Sequence, residues 1–250
     1  MKKVCITGAS SGIGEAIAEI FASRGYELIL CGRNRLKLQE LKSRLDKLTK
    51  CIIVVFDVRD RERVSDVLTE AIGAMQGVDV LINNAGNAHG LGTVQEGNPD
   101  DWDAMIDINV KGLLNVTHAV LPYLVKQNSG HIINIGSLAG KEVYRNGTVY
   151  CASKHAVDAI SEGLRKDLLE TDIKIGCVHP GLVATNFSMV RFKGDKNKSN
   201  AVYKGYEPLQ AKDIAEIVDF VVSRPAHVNI ADLLVLPSAQ ASSTEIKKNL

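Results

Sequence analysis

The stretch Thr7-Gly8-Ala9-Ser10-Ser11-Gly12-Ile13-Gly14 follows a short apolar run and precedes an amphipathic one. This order predicts a strand, a glycine-rich turn and a helix, in which glycines allow a ligand to approach the backbone and the helix N-terminus faces a pyrophosphate. The spacing of the glycines differs from the common G-x-G-x-x-G. The alternative is a glycine-rich turn that connects a strand to a helix and binds no ligand. Its place at the end of the first strand favours a dinucleotide site formed by Gly8, Ser10, Ser11, Gly12, Ile13 and Gly14.

Outward from this turn, short apolar runs alternate with longer helical periods, which is typical of βαβ units in a parallel sheet. Strands are predicted at Lys3–Thr7, Glu27–Cys31, Cys51–Phe56, Val80–Asn83, Gly130–Gly136, Lys174–His179 and Leu233–Leu236. Helices are predicted at Ile13–Ser23, Arg35–Lys47, Arg61–Met75, Trp102–Lys126, Thr148–Glu170 and Ala211–Ser223. No repeat or linker divides the chain. We therefore expect one α/β, doubly wound, Rossmann-type domain over residues 1–250, with a seven-stranded parallel sheet flanked by helices.

Composition narrows the possible functions. The 250 residues are 45% hydrophobic, enough for a full core. A net charge of +1 gives no general attraction for nucleic acid or an anionic membrane. There is no run of eighteen apolar residues for a membrane span, and Met1-Lys2-Lys3 leads directly into the first strand without room for a signal peptide. We expect a cytoplasmic protein.

The cysteines and histidines indicate neither a disulfide framework nor a metal site. The five cysteines are odd in number and form no Cys-x-x-Cys pair, and the six histidines lack metal-ligand spacing. Reduced core thiols are the favoured interpretation, and no metal is expected. A reactive thiol at Cys151 is the alternative, but no His-Asp partner is evident nearby in the sequence.

Cofactor choice is read after the second strand, where an acidic residue would favour NAD. This chain has Gly32-Arg33-Asn34-Arg35 there. The planar guanidinium of Arg33 suits a 2′-phosphate, so NADP is expected, with Asn34 beside it. The alternative is that Arg33 only begins a basic, solvated helix. Asp57 and Val58, after the third strand, are expected at the adenine, and Asn84, Ala85 and Gly86, after the fourth, at the ribose and nicotinamide.

Tyr150 and Lys154 lie four residues apart, so both project from one face of a helix, and Ser137 lies thirteen residues upstream. A tyrosine with a pKa of about 10 is a weak base at neutral pH, and a nearby ammonium favours the phenolate. A serine hydroxyl can hold a carbonyl or alcohol oxygen. The set therefore predicts proton transfer at an oxygen while a cofactor takes the hydride.

Together these motifs resemble the short-chain dehydrogenase/reductase family from end to end. The resemblance implies that Tyr150 is the catalytic acid/base, that Ser137 orients the substrate oxygen, and that Lys154 lowers the tyrosine pKa and binds the nicotinamide ribose. It also implies that Asn109 holds a water in a proton relay, where an isolated asparagine would serve only local packing. Pro180, Gly181, Val183 and Thr185 would line the nicotinamide and its phosphates.

The segment Pro180–Pro208, called the lid below, has little periodicity, and a long segment of this kind is commonly a binding loop. Its string Val190-Arg-Phe-Lys-Gly-Asp195, like Pro225-Ala-His-Val-Asn-Ile230, is similar to the NADP-dependent 3-hydroxy acid dehydrogenase branch, whose members are typically homotetramers. The resemblance implies that serine, allo-threonine or 3-hydroxypropionate is the substrate. Asn186 and Arg145 depart from that branch, where a Glu and a small residue are usual.

A substrate carboxylate requires a cation, and three side chains are candidates. Arg191 and Lys193 lie in the lid, and Arg145 lies near the catalytic serine. An outward-facing charge is the alternative for Arg191. Two other functions stay open: reduction of another carbonyl class on the same machinery, and a non-catalytic NADP(H) sensor. The intact set of Ser137, Tyr150 and Lys154 argues against the sensor.

Overall fold

The computed structural model describes residues 2–249. Its strands are β1 Lys3–Thr7, β2 Glu27–Gly32, β3 Cys51–Val55, β4 Val80–Asn83, β5 Gly130–Ile135, β6 Ile173–Pro180, β7 Val183–Ala184, β8 Leu209–Gln210 and β9 Asp232–Val235. Its α-helices are α1 Gly12–Ser23, α2 Arg35–Leu45, α3 Arg61–Ala74, α4 Pro99–Ile106, α5 Leu113–Lys126, α6 Thr148–Asp167, α7 Phe187–Arg191, α8 Lys196–Val202 and α9 Ala211–Val222. Short 3₁₀ turns occur at Val94–Glu96 and Leu138–Gly140.

Seven strands form one parallel sheet in the order β3-β2-β1-β4-β5-β6-β9, and β7 pairs with β8 separately. The chain starts at β1 in the middle, runs outward to β3, and then returns to β4 on the other side of β1. The strand order therefore reverses between β1 and β4. In such sheets the carboxyl ends of the strands open a crevice at this point, which is where ligands bind. The predicted seven-stranded, doubly wound α/β fold is confirmed.

Both faces of the sheet are apolar because helices cover both. On β1, Val4 and Ile6 face a core shared with α1, α2 and α9, whereas Cys5 faces a core shared with α3 and α5. The near-continuous apolar strands of the sequence reflect this burial on two sides. All five cysteines are free, buried thiols. Within residues 2–249, no helix combines the length and apolar character needed to cross a membrane.

Two predicted segments differ from the structure. The expected single helix Trp102–Lys126 is two helices joined by a π-helical turn, Asp107–Gly112, and the first begins earlier because Asn98 caps it and Pro99 occupies its first position. The lid was expected to lack regular structure but contains β7, α7 and α8. Helices of five and seven residues are too short to produce a readable period.

Candidate active site

A cavity of about 1090 Å³ opens at the carboxyl ends of the strands, at the β1/β4 switch point. Nearly all of the residues predicted for the site line it. These are Gly8, Ser10, Ser11, Gly12, Ile13, Arg33, Asn34, Asp57, Val58, Asn84, Ala85, Gly86, Ser137, Arg145, Tyr150, Lys154, Pro180, Gly181, Val183, Thr185 and Arg191. Gly14 and Asn109 instead lie behind its wall, as described below.

The glycine-rich turn has the geometry that a dinucleotide requires. Gly8 and Gly12 have positive φ angles of 66° and 58°, which favour glycine. A Cβ on Gly14 would lie 2.4 Å from the Gly8 carbonyl oxygen, so this residue must be glycine for α1 to approach β1. Ser11 caps α1 without a side-chain hydrogen bond, which leaves the first N–H groups of the helix for an anion.

The end of β4 is tied to this turn. The Asn84 side chain donates to the Thr7 carbonyl at 2.9 Å, and the Thr7 hydroxyl accepts from the N–H groups of Asn84 and Ala85 at 3.0 Å each. These bonds fix the floor of the crevice at the switch point. The neighbouring Gly86 would meet Asn109 Oδ1 at 3.2 Å and Lys154 Nζ at 3.5 Å if it carried a Cβ. The glycine therefore brings the floor close to both residues.

At the end of β2, the Arg33 side chain is 67% exposed and reaches towards Asp57, with 3.9 Å between Nη1 and Oδ2. Arg59 forms a two-point pair with Asp57, at 3.0 and 2.8 Å, and this hydrogen-bonded pair lowers the pKa of the Asp57 carboxyl. The predictions missed Arg59 because its motif gives no signal for it. Asn34 caps α2 by accepting from the Lys37 N–H. Arg33 thus presents an exposed guanidinium of the kind that suits a 2′-phosphate, with Arg59 as a second cation nearby.

Asn109 lies in the π-helical turn and is fully buried behind Gly86. Its side chain accepts from the Asn87 N–H at 2.8 Å and donates to the Asn87 carbonyl and to Ser153 Oγ, at 2.8 and 3.0 Å. These bonds hold the strand-to-helix loop after β4 against α6. The place of Asn109 in a proton relay stays a prediction.

Ser137 and Tyr150 meet at the inner end of the cavity. Ser137 follows β5 and opens a 3₁₀ turn, with its hydroxyl accepting from the Ala139 N–H at 3.1 Å. Tyr150 is 8% exposed in the first turn of α6. Burial raises the pKa of Tyr150 well above its usual range, while a hydrogen bond with Ser137 lowers it. The phenol therefore keeps its proton until other groups compensate for its burial.

Lys154 lies one turn further along α6 and is also buried. Its ammonium donates to the Ile135 carbonyl at 3.0 Å, and burial lowers its pKa to about 8. It lines the same cavity as Tyr150. Its predicted effect on the pKa of Tyr150 stays a prediction.

Arg191, from α7 of the lid, is the cation that lowers the pKa of Tyr150. Its Cζ lies 5.5 Å from the Tyr150 ring centroid and 5.6 Å from that of Tyr144. Its Nε donates to the Gly90 carbonyl at 3.2 Å, and its buried Nη2 has no hydrogen-bond partner among residues 2–249. Arg191 therefore points inward, towards Tyr150. The outward-facing alternative is wrong, and Tyr144 is a wall residue that the sequence did not reveal.

The other two candidate cations lie elsewhere. Lys193 Nζ pairs with Asp101 Oδ2 at 2.9 Å and does not line the cavity. Arg145 lines the cavity but is exposed at its rim. Of the three candidate cations, Arg191 therefore lies beside Tyr150, and Arg145 lies at the rim of the cavity. Lys193 lies outside the cavity, where Asp101 neutralises its charge.

The lid and the C-terminal segment close the end of the cavity beside Gly181. A Cβ on Gly181 would lie 2.4 Å from Gln240 Oε1, which accepts from the Leu182 N–H at 3.0 Å. A Cβ on Gly12 would lie 3.4 Å from Thr185, so the lid reaches the glycine-rich turn. Gln240 was missed because the C-terminal segment carries no recognisable motif. The uncapped N-terminus of α1, the glycine cradle and the exposed Arg33 guanidinium all fit a bound NADP.

Comparison with known proteins agrees with this geometry. The sequence profile of the short chain dehydrogenases matches residues 2–196. Sulfoacetaldehyde reductase 2 of Chromohalobacter salexigens is 44% identical over 241 residues, which cover 96% of each chain. The NADP-dependent 3-hydroxy acid dehydrogenase YdfG of Escherichia coli K12 is 43% identical over 240 residues, covering 95% of this chain and 96% of the other.

Among solved structures, the closed form of serine dehydrogenase complexed with NADP⁺ superposes with a TM-score of 0.93 at 40% identity. The match covers 99% of this chain and 100% of that one. The likeness therefore includes the lid and the C-terminal segment as well as the sheet.

Proposed function

The chain belongs to the short-chain dehydrogenase family, and on that premise we propose that it transfers a hydride reversibly between NADP(H) and a 3-hydroxy acid or its 3-oxo counterpart. The coarser activity, that of an NADP-dependent oxidoreductase acting on CH–OH groups, follows from the family and the relatives. The substrate class rests on the site. Serine, allo-threonine and 3-hydroxypropionate are the candidates of suitable size and charge.

The observation that carries the substrate class is the position of Arg191. A guanidinium 5.5 Å from the Tyr150 ring has a buried Nη2 without a partner among residues 2–249. A buried, unpaired donor costs free energy, and an anionic ligand group would satisfy it. The hydroxyl of a 3-hydroxy acid lies two carbons from its carboxylate. Such a substrate can present its hydroxyl to Tyr150 while its carboxylate meets Arg191.

The chain's own residues divide the remaining tasks. Ser137 holds the substrate oxygen, and Tyr150 removes the hydroxyl proton in the oxidising direction or returns it in the reducing direction. Lys154 contributes positive charge at the inner end of the cavity and a donor for the ribose. Bound NADP⁺ supplies the acceptor for the hydride. The apolar rings of Phe187 and Tyr144 border Tyr150 and exclude water from the proton transfer.

A second candidate is a short aldehyde that carries a sulfonate. The relative at 44% identity is named for the reduction of sulfoacetaldehyde. A guanidinium pairs with a sulfonate as it does with a carboxylate. The carboxylate is planar and the sulfonate tetrahedral, but each is an anion with at least two acceptor oxygens. The Arg191 site therefore selects for an anion, and the length of the substrate decides which anion fits.

The test is NADP⁺ reduction, followed by NADPH absorbance, with L-serine, L-allo-threonine, 3-hydroxypropionate, 2-hydroxyethanesulfonate and a neutral secondary alcohol. Each substrate is assayed with the wild type, Arg191→Ala and Lys193→Ala. We expect turnover of the carboxylates and a rise in their KM of at least about tenfold in Arg191→Ala, because a charge-assisted contact is lost. Lys193→Ala is the matched control, since its charge is paired with Asp101 outside the cavity.

Each alternative has its own result. Turnover of the neutral alcohol alone would reject the acid specificity and favour another carbonyl class. Preferred turnover of the sulfonate would favour the second candidate. An equal rise in KM for acids and the neutral alcohol in Arg191→Ala would show that Arg191 acts only through lid packing. NADPH binding without turnover of any substrate would favour the non-catalytic sensor.

A further inference from the structure

Four titratable side chains meet beside the catalytic cavity, each from a different element. His179 is completely buried at the end of β6, Lys141 follows the 3₁₀ turn of Ser137, Asp158 lies on α6 and Asp232 begins β9. Lys141 Nζ lies 2.9 Å from both oxygens of Asp158 and 2.6 Å from Asp232 Oδ2. His179 Nε2 lies 2.9 Å from Asp232 Oδ1 and 3.5 Å from Asp158 Oδ1. This charge cluster joins three segments to the loop that carries Ser137.

The other ring nitrogen of His179 reaches the catalytic serine itself. Nδ1 lies 3.2 Å from the Ser137 carbonyl oxygen, which also accepts from the Gly140 N–H at 2.8 Å. A carbonyl oxygen only accepts, so Nδ1 must carry a hydrogen. A Cβ on Gly136 would lie 2.5 Å from Nδ1. The imidazole therefore reaches Ser137 only because the preceding residue is glycine.

The carboxylates near Nε2 favour a second proton on the His179 ring, whereas burial and the Lys141 ammonium oppose it. The Nε2 contact with Asp232 is short but poorly aligned for a hydrogen bond, so it is a close charge contact. Burial, the largest cause, and the Lys141 ammonium lower the pKa of His179 below its usual value, and Asp232, the Ser137 carbonyl and Asp158 offset only part of this. In either charge state, the contact with Ser137 requires the hydrogen on Nδ1.

The cluster is not a convincing metal site. Donor atoms of Asp158, Cys177 and His179 lie within 4.8 Å of one another. However, the Lys141 ammonium already holds both Asp158 oxygens and one oxygen of Asp232. The cation between the two carboxylates is thus a lysine side chain that belongs to the Ser137 loop.

We propose that His179 is a positioning residue that holds Ser137 in register with Tyr150, with Lys141, Asp158 and Asp232 completing the clamp. The proposal rests on the proposed function, because it assigns Ser137 to the substrate oxygen. Asp158 lies one turn beyond Lys154 on α6, so the clamp fastens the serine loop to the helix that carries both other catalytic candidates. Contact is close: a Cβ on Gly140 would lie 2.7 Å from the Lys154 carbonyl oxygen.

The test compares His179→Asn with His179→Gln. An asparagine amide nitrogen reaches the position of Nδ1 and can still donate to the Ser137 carbonyl. A glutamine amide extends towards the position of Nε2 and leaves that carbonyl without the donor. We expect His179→Gln to lower kcat about tenfold, since a small displacement of a positioned group costs this much, and His179→Asn to restore most of it. KM for NADP⁺ is expected to be unchanged in both.

A packing role predicts the opposite order, because asparagine is smaller and leaves the larger cavity. A kcat in His179→Asn equal to or below that in His179→Gln would therefore overturn the proposal. An independent measurement needs no turnover: two-bond ¹H–¹⁵N spectra of the wild-type histidines, with the His179 signal assigned by its loss in a variant. Hydrogen on Nδ1 supports the proposal, and a neutral ring with hydrogen on Nε2 alone overturns it. A wild type without activity would contradict the proposed function and leave this spectrum as the test of the clamp.

Discussion

At the residue scale, Tyr150 is held between burial, which keeps its proton, and two side chains that help the proton to leave. Burial raises its pKa, and Ser137 and Arg191 lower it. Ser137 and Tyr150 lie only thirteen residues apart on consecutive elements, whereas Arg191 comes from the lid, and all three line the cavity at the carboxyl edge of the sheet. The proposed proton transfer therefore depends on keeping the β5 loop, α6 and the lid together.

Replacing Tyr150 with Phe removes the titrating oxygen and little volume. We expect kcat to fall by at least about a thousandfold, which is within the range for loss of a general acid/base. NADPH binding, measured by fluorescence titration, should stay close to that of the wild type because the ring is retained. Turnover within tenfold of wild type would show that another group transfers the proton.

Lys154 illustrates how a functional charge costs stability. Its pKa is about 8 in the folded protein, compared with 10.5 for a lysine in water, because burial disfavours the charged form. We expect the free energy of unfolding of Lys154→Met to be about 2 kcal/mol higher than that of the wild type at pH 7. This figure allows for the Ile135 carbonyl, which loses its hydrogen-bond donor in the variant. The same variant should be almost inactive. Urea unfolding followed by circular dichroism gives the first quantity, and the NADP⁺ assay gives the second.

The pH dependence of that difference follows from the sign of the shift. Between pH 8 and 10.5 the unfolded chain binds the lysine proton more fully than the folded one, so wild-type stability rises with pH through this window. Lys154→Met lacks this dependence, and its advantage should shrink towards pH 10. An advantage that stays constant from pH 7 to 10 would show that the lysine is charged equally in both states.

At the element scale, the lid is held in place by hydrogen bonds that its sequence pattern does not predict. The Tyr203 hydroxyl, just after α8, donates to the Val183 carbonyl at 2.9 Å and bonds Ser188 Oγ at 2.8 Å. It thereby connects the end of α8 to β7 and α7. On the other side, the Gly90 N–H donates to the Arg191 carbonyl at 2.9 Å. The Tyr203 bonds thus hold the parts of the lid together, and the Gly90 bond ties the lid to the loop after β4.

Tyr203→Phe deletes the first of these fastenings with almost no change in volume. We expect trypsin to cut the lid at Lys196 or Lys198 several-fold faster than in the wild type. The free energy of local opening falls by the contribution of about one or two hydrogen bonds. Tyr206→Phe is the matched control, since among residues 2–249 the Tyr206 hydroxyl bonds only to the Val202 carbonyl at the end of α8. Equal cleavage rates in the two variants would mean that the Tyr203 bonds do not hold the lid.

The sequence predicted a helix correctly where the helix was long enough to show a repeating apolar pattern. Helices such as α3 and α6, with 14 and 20 residues, show a readable apolar face, and their predicted bounds are close to the structure. The π-helical turn at Asp107–Gly112 shifts the period by one residue, which an average over the stretch does not register. The motifs predicted to be catalytic were recognisable because chemistry fixes their residue types. Tyr144 and Gln240 reach the cavity only through tertiary packing, and Arg59 contributes only through its local pair with Asp57, so their residue types alone do not mark them.

At the scale of the whole molecule, the family resemblance predicts a homotetramer, and the protein surface offers apolar side chains that would suit one. Leu114 at the start of α5 is 42% exposed, and Leu234 on the edge strand β9 is 45% exposed. Light scattering coupled to size exclusion should give four times the 27.1 kDa chain mass. Leu114→Glu should lower that mass, whereas Leu48→Glu, at a 58% exposed site after α2, should not. A wild-type mass of one chain would reject the tetramer.

The placement of Arg191 links chemistry to access. Its guanidinium helps Tyr150 to lose a proton, yet the residue belongs to the lid and is bonded to Gly90 through both its backbone and its side chain. Any movement that parts α7 from Gly90 also withdraws this cation from the phenol. Opening the cavity in this way would remove from Tyr150 a positive charge that favours its phenolate form. One side chain therefore couples the position of the lid to the charge beside the tyrosine.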